Sequence, residues 1–267
     1  MRKVLSKDGT PIAFEMVGSG PAIVMVTGAI TFRAIDPSAA SLANLLAKDF
    51  TVINYDRRGR GESGDTPPYT VEREIQDLEA LIDEVGGSAF VNGISSGGAL
   101  TLWAAGNLGP DKIKKVVVYE PPFAVGDHPG LPKDFVEKIN MAVAENRRGD
   151  ALELFMTVAV GMPAEAVKPM HQEPTLGALE SIAHTIAYDG TIIGDSSLPI
   201  ERLTKVTVPA LVMAGGASPN WLLKAAEATA KALPQSEYRT LKDQTHNIDV
   251  KVLAPELEEF FKARHDE

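Results

Sequence analysis

The chain has 267 residues, 44% hydrophobic and 23% charged, and these proportions predict one globular domain with a substantial core. Its net charge of −10 argues against a nucleic-acid partner and against docking on an anionic membrane, because both require a basic face. The sequence contains no cysteine, which excludes disulfides, thiolate metal sites and a cysteine nucleophile.

The first ten residues are charged and lack the apolar core of a signal peptide. The longest apolar runs, such as residues 22–26, are too short to span a bilayer. We therefore expect a cytoplasmic protein with no membrane partner. The sequence leaves its oligomeric state open.

Short apolar and β-branched runs alternate with amphipathic patterns along most of the chain. The runs predict strands at residues 12–16, 22–26, 51–55, 89–92, 115–119, 210–214 and 237–241. Apolar residues at three- and four-residue spacing predict helices at residues 37–48, 71–85, 98–108, 221–233 and 254–262. This alternation predicts an α/β fold, a mostly parallel sheet with helices on both faces. The glycine-rich turn 18–21 predicts a hairpin of the first two strands at an antiparallel edge.

Residues 121–203 interrupt the alternation. This segment holds no strand pattern, but helical patterns occur at residues 134–147, 151–160 and 175–187, separated by prolines and glycines. We interpret it as a helical cap inserted into a core domain formed by residues 1–120 and 204–267. Its larger apolar side chains, Phe155 and Met156 among them, are expected mainly to pack, with some facing a pocket.

The pentapeptide Gly93-Ile94-Ser95-Ser96-Gly97 lies between a predicted strand and a predicted helix. A serine on so tight a strand-to-helix turn requires almost no side chain two positions to either side, and Gly93 and Gly97 meet that requirement. The helix that follows directs free amides towards negative charge developing beside Ser95. This context favours a nucleophile elbow over an ordinary glycine-rich turn.

A serine nucleophile needs a base, and five histidines are available. His265 lies near the C-terminus, and His128, His171 and His184 fall in the predicted cap. His246 instead follows the last predicted strand, where loops lie along the carboxyl edge of the sheet together with the elbow. We therefore predict His246 as the base.

Together, the elbow, the late histidine, the Val26-Thr27-Gly28-Ala29 strand end and the run Asp56 to Ser63 resemble the α/β-hydrolase fold superfamily, over nearly the whole chain. The resemblance implies that the backbone amides of Ala29 and Ser96 form the oxyanion hole. It also implies that the Asp56 to Ser63 run is an architectural turn. The chain has Thr27-Gly28 where many members have His-Gly.

The family's usual acid is missing, because Gly215-Gly216-Ala217-Ser218-Pro219 follows the relevant strand. Glu120 ends the preceding apolar strand, where a charge needs a partner, and is our candidate. The placement is similar to that in a subset of haloalkane dehalogenases, which have an aspartate in the elbow instead of a serine. The alternatives are a structural role for Glu120, or an acid supplied by Asp249, Asp243 or Asp195, although Asp249 is expected to cap the last helix.

These residues predict a serine hydrolase that cleaves a small to medium ester or lactone with a triad of Ser95, His246 and Glu120, without metal or cofactor. Uncharged or weakly polar substrates are expected. Amide or carbon–carbon bond hydrolysis, perhydrolysis and lyase chemistry stay open on the same fold. A ligand-binding or degenerate relative without useful turnover is the alternative from another class.

Overall fold

The protein is represented by a computed structural model that describes residues 1–263. His265 lies outside the described residues. The strands are β1 (Arg2–Leu5), β2 (Pro11–Gly18), β3 (Ala22–Val26), β4 (Thr51–Tyr55), β5 (Ala89–Ile94), β6 (Ile113–Tyr119), β7 (Ala210–Gly215) and β8 (Ser236–Leu241). The helices are α1 (Pro37–Leu46), α2 (Val71–Glu84), α3 (Ser96–Lys112), α4 (Phe135–Ala144), α5 (Arg148–Leu154), α6 (Ala164–Val167), α7 (Leu176–Ser181), α8 (Thr185–Ile193), α9 (Ile200–Leu203), α10 (Asn220–Ala232) and α11 (Val250–Lys262).

All eight strands form one sheet in the order β1-β2-β4-β3-β5-β6-β7-β8. Strands β3 to β8 run parallel to one another, whereas β2 is antiparallel to both β1 and β4. The predicted α/β fold with a mostly parallel sheet is therefore confirmed. Every predicted strand is present. Strand β1 was not predicted, because it has only four residues, two of them exposed and charged, and so carries little apolar pattern.

The predicted hairpin of the first two patterned strands is wrong. The turn between β2 and β3 connects strands that do not pair, since β4 lies between them. Gly18 and Gly20 have positive φ and lie directly against backbone carbonyls of the segment that joins α1 to β4. This contact carries the chain across the end of β4, and the antiparallel edge hairpin is formed by β1 and β2 instead.

Helices cover both faces of the sheet. Helices α1 and α11 pack together on one face, over apolar residues of the central strands. Helices α2, α3 and α10 cover the other face and build the larger hydrophobic cluster. Both layers follow from the alternation of strand and helix, because the central strands β3 to β7 bury side chains on both faces. Among residues 1–263, no helix is both long and apolar enough to cross a bilayer.

Residues 121–203, here called the helical insert, lie between β6 and β7. They contain α4 to α9, a π-helix at Phe155–Ala159 and a 3₁₀-helix at Lys168–Gln172. In the described part of the insert, the only strand-like pairing is one bridge between Ala124 and Ser197. The insert has its own apolar cluster, built around Phe135, Ile139 and Ile186. The division into a core domain (residues 1–120 and 204–267) and a cap (121–203) stays a prediction that this cluster supports.

Candidate active site

The turn between β5 and α3 holds Ser95 in a strained backbone conformation, with φ of 56° and ψ of −128°. Its carbonyl accepts hydrogen bonds from the amides of Gly98 and Ala99, which starts the helix at once. A Cβ on Gly93 or Gly97 would overlap backbone atoms of the neighbouring turn or of the end of β3. The glycines therefore permit the close approach of strand and helix on which this turn depends.

Replacing Gly97 with alanine is expected to lower the free energy of unfolding by about 2 kcal/mol or more, because the new methyl group meets the carbonyls of Val26 and Thr27 rather than a flexible side chain. The matched control is Gly177→Ala in α7, where nothing lies within 4 Å of the added carbon. That control should be neutral or stabilise by about 0.5 kcal/mol or more, as alanine does in a helix. Urea denaturation of both variants measures the difference, and equal stabilities would contradict the steric explanation.

Glu120 follows β6 and is completely buried. Its φ of 47° is unusual for a residue with a side chain, and here it accompanies a carboxylate that points across the end of the sheet. Glu120 Oε1 accepts a hydrogen bond of 2.8 Å from the amide of Gly215 at the end of β7. Glu120 Oε2 lies 2.6 Å from His246 Nδ1. Both carboxylate oxygens therefore have a partner.

The contact with Glu120 determines which ring nitrogen of His246 carries the proton. Because an ionised carboxylate only accepts hydrogen bonds, Nδ1 is the donor, which leaves the Nε2 lone pair of neutral imidazole free. The His246 loop is anchored by the Tyr119 hydroxyl, which donates to the carbonyl of Thr245 over 2.6 Å. Burial raises the pKa of Tyr119, so its hydroxyl remains a neutral donor. The His246 side chain is 41% exposed and accessible from the cavity.

The rival acids have other partners. Asp249 caps α11 by accepting from the amide of Lys251, as expected from the sequence. Asp195 accepts from the amide and hydroxyl of Ser197 in the helical insert. Asp243 is exposed in the turn after β8. Among these four carboxylates, Glu120 is the one that contacts His246.

A cavity of about 830 Å³ opens between the carboxyl ends of the strands and the helical insert. Ser95, His246, Ala29 and Ser96 all line it, so the structure brings the predicted nucleophile, base and oxyanion residues to one space. Gly28 lies directly beside the serine, because a Cβ there would be 3.1 Å from that of Ser95.

The wall contributed by the helical insert is mainly apolar and includes Phe155 and Met156. Trp221, at the first turn of α10, is half-buried, lines the same cavity and stacks on His128 with ring centroids 4.2 Å apart.

Sequence reasoning missed Asp189 of α8. Its carboxylate is buried beside the elbow and accepts a hydrogen bond of 2.8 Å from Ser96 Oγ. It also pairs with Arg57 and Arg60, which belong to the run assigned to an architectural turn. Three arginines in four residues were the available signal, since such a cluster needs carboxylates from elsewhere in the chain once it is buried.

Comparison with known proteins identifies the family. Residues 23–256 match the sequence model of the alpha/beta hydrolase family. The chain is 50% identical to an alpha/beta hydrolase of known structure from Sphaerobacter thermophilus, with a TM-score of 0.90 over 98% of this chain and 100% of that one. It is 24% identical over 233 residues to the bifunctional esterase/perhydrolase DCH of Acinetobacter calcoaceticus, which covers 80% of this chain and 81% of the relative.

A further relative is the uncharacterized hydrolase YraK of Bacillus subtilis, which is 27% identical over 174 residues. That match covers 61% of this chain and 60% of YraK, so the chain spans less than two thirds of that relative. The family model, in contrast, extends from β3 into α11. It therefore includes the elbow, the strand that precedes Glu120 and the loop that carries His246. The chain belongs to the alpha/beta hydrolase family.

Proposed function

We propose that the protein is a serine hydrolase that cleaves small to medium carboxylic esters or lactones through an acyl-enzyme. The observation that carries the proposal is the 2.6 Å contact between Glu120 Oε2 and His246 Nδ1, in a loop that lines the same cavity as the elbow serine. A binding protein without turnover has no need for an oriented, partly exposed imidazole that lines the same cavity as a strained serine. The esterase/perhydrolase relative lends support at the level of reaction class.

In the acylation half, Ser95 Oγ attacks the carbonyl carbon of the ester while His246 Nε2 takes the hydroxyl proton. The carbonyl oxygen becomes an oxyanion, and the amides of Ala29 and Ser96 would donate to it. Glu120 stabilises the imidazolium that forms. The bond to the leaving oxygen then breaks, and the imidazolium returns the proton to it, so that an alcohol departs.

In the deacylation half, water takes the place of the alcohol. His246 removes a proton from the water, the resulting hydroxide adds to the acyl carbon, and the same two amides hold the second oxyanion. Collapse of this intermediate breaks the bond to Ser95 Oγ, which regains its proton from His246. The products are a carboxylic acid and the free enzyme.

A panel of esters, lactones and amides tests the proposal, with Ser95→Ala as the blank. We expect Ser95-dependent release of acid from at least one ester or lactone. A folded wild-type protein that hydrolyses none of the panel, while binding some members, would favour the ligand-binding alternative. A preference for amides would change the proposed reaction to amide hydrolysis, but the assignment of Ser95 as the nucleophile would stand.

The charges around the cavity predict a preference for uncharged acyl groups. Among the described residues that line it, none is a lysine or an arginine, whereas Asp36 and Asp189 are carboxylates. A negatively charged acyl chain would lose its hydration there without gaining a cation. We therefore expect kcat/KM for para-nitrophenyl hemisuccinate to be about 100-fold or more below that for para-nitrophenyl butyrate, which has the same acyl length without the charge.

Hydrolysis of both esters by Ser95→Ala and by hydroxide alone provides the control for their intrinsic reactivity. If the wild-type enzyme accepts the hemisuccinate as readily as the butyrate, the inference from cavity charge is wrong. In that case the carboxylate of the acyl chain would have to lie in solvent outside the cavity, or pair with a cation that is not among the described lining residues.

A further inference from the structure

A buried ion-pair network lies behind the oxyanion-hole candidates. Arg57 Nε and Nη2 donate to Glu74 of α2 at 2.8 and 2.7 Å, and Arg57 Nη1 donates to Asp189 Oδ1 at 2.7 Å. Arg60 Nη2 donates to Asp189 Oδ2 at 2.6 Å. All four side chains are buried, and their two positive and two negative formal charges balance. Burying four charges seldom stabilises a fold more than apolar packing does, so fold stability alone does not account for the network.

Asp189 connects this network to the residue after the nucleophile. The Ser96 hydroxyl donates to Asp189 Oδ1 over 2.8 Å. Burial by itself would raise the pKa of Asp189, but the guanidinium groups of Arg60 and Arg57 hold it below its ordinary value. The carboxylate therefore stays ionised and accepts every hydrogen bond that it makes. In this way α8 of the helical insert is joined to the first residue of α3.

Arg60 connects the same carboxylate to the other oxyanion candidate. Arg60 Nη1 donates to the carbonyl oxygen of Gly28 at 2.5 Å and to that of Thr31 at 3.3 Å. The Gly28 carbonyl and the Ala29 N–H belong to one planar, trans peptide unit, so fixing the direction of the carbonyl fixes the opposite direction of the N–H. A cation on the carbonyl also polarises the unit and makes its N–H a stronger donor.

We propose that Asp189 is a positioning residue that aligns both oxyanion donors, the Ser96 amide through the Ser96 side chain and the Ala29 amide through Arg60. The inference rests on the proposed function, and it adds that the helical insert supplies a carboxylate without which the oxyanion hole is incomplete. Because the oxyanion exists only in the intermediates and their transition states, the alignment acts on kcat rather than on substrate binding.

Asp189→Asn tests this role, because an asparagine side chain cannot accept from both guanidinium groups and its NH₂ would face one of them. With para-nitrophenyl butyrate, we expect kcat to fall about tenfold or more, short of the 10²–10³ for complete loss of a donor, while KM changes about threefold or less. Affinity for an aryl trifluoromethyl ketone, which forms an oxyanion adduct with the serine, should fall in parallel with kcat.

Asp77→Asn is the matched control. Asp77 of α2 is buried and pairs with Arg58 of the same loop through two hydrogen bonds of 2.7 and 3.0 Å, but neither residue lines the cavity. It therefore reports what neutralising a buried aspartate does to the fold alone, and we expect an unchanged kcat and unchanged inhibitor affinity. The proposal is overturned if Asp189→Asn keeps the wild-type kcat and inhibitor affinity, or if Asp77→Asn lowers both equally.

Ser96→Ala keeps the test decisive should Asp189→Asn fail to fold. It deletes the hydrogen bond to Asp189 but keeps the backbone amide of residue 96 and the ion pairs of Asp189 with Arg57 and Arg60. Alanine is also favoured in helices. We expect a smaller fall in kcat, about threefold or more, with the same unchanged KM. A folded Ser96→Ala enzyme with wild-type kcat and inhibitor affinity would contradict the proposal. A wild-type protein inactive on every ester and lactone would instead overturn the proposed function itself.

Discussion

Ser95→Ala is expected to lower kcat by about four to six orders of magnitude, because removal of the nucleophile leaves only binding and oxyanion stabilisation to act on the substrate. The structural basis is the elbow, which holds Ser95 in a strained backbone conformation between β5 and α3. A fluorophosphonate probe should label the wild-type protein and leave Ser95→Ala unlabelled.

Ser38→Ala provides the control for this experiment, because Ser38 also lines the cavity but lies on α1, away from the elbow. It should keep both its label and its turnover. Labelling of Ser95→Ala, or turnover within about tenfold of the wild type, would contradict the assignment of the nucleophile.

A double variant tests whether serine and histidine act as one unit. If His246 serves only to activate Ser95, then Ser95→Ala with His246→Ala should be no slower than Ser95→Ala alone. Additive losses would instead indicate that the imidazole contributes independently of the serine.

Glu120→Gln is expected to lower kcat by about 10³ to 10⁴, since loss of the orienting acid stabilises the wrong histidine tautomer. The glutamine NH₂ facing His246 Nδ1 would donate to it, which puts the imidazole proton on Nε2 and removes the base. A glutamine oxygen can still accept from the Gly215 amide, so the variant should remain folded. Steady-state kinetics on para-nitrophenyl butyrate, with circular dichroism for folding, measure the effect.

Asp249→Asn is the control for the acid. It keeps an N-cap on α11, for which asparagine is as good as aspartate, and should retain both stability and turnover. A folded Glu120→Gln enzyme with near-normal turnover would show that Glu120 does not serve as the acid.

Moving the acid to its usual family position extends the test. Ser218 is a buried residue in the loop after β7. Its neighbour Ala217 donates to the carbonyl of Gln244 at 2.8 Å, so this loop adjoins the one that carries His246. We expect Ser218→Asp to recover at least about tenfold of the kcat lost in Glu120→Gln, because an acid from either strand end could hold the imidazole.

Local patterns in the sequence predict the layers of the fold and single out Ser95 as the candidate nucleophile. Apolar and β-branched runs of four or five residues between amphipathic helices leave few arrangements other than a parallel sheet covered on both faces. The bounds of every strand except β1 were predicted to within two residues. The elbow was equally predictable, because so tight a strand-to-helix turn requires glycines two positions to either side of the serine. Glu120 was also accessible to reasoning, since a charge that ends a buried strand needs a partner.

The contacts between residues far apart in the chain depend on the tertiary structure and could not be predicted from local patterns alone. The pairing of β2 with β4 depends on how the chain crosses the end of the sheet, which no local pattern encodes. The contact of Glu120 with His246 joins residues 126 positions apart, and that of Ser96 with Asp189 joins residues 93 positions apart. Such contacts are set by packing of whole elements, so the contact of Asp189 with Ser96 could not be found from the sequence. The elbow serine was predictable because it depends on local steric requirements. The side chains around it come from distant parts of the chain and meet only in the folded structure.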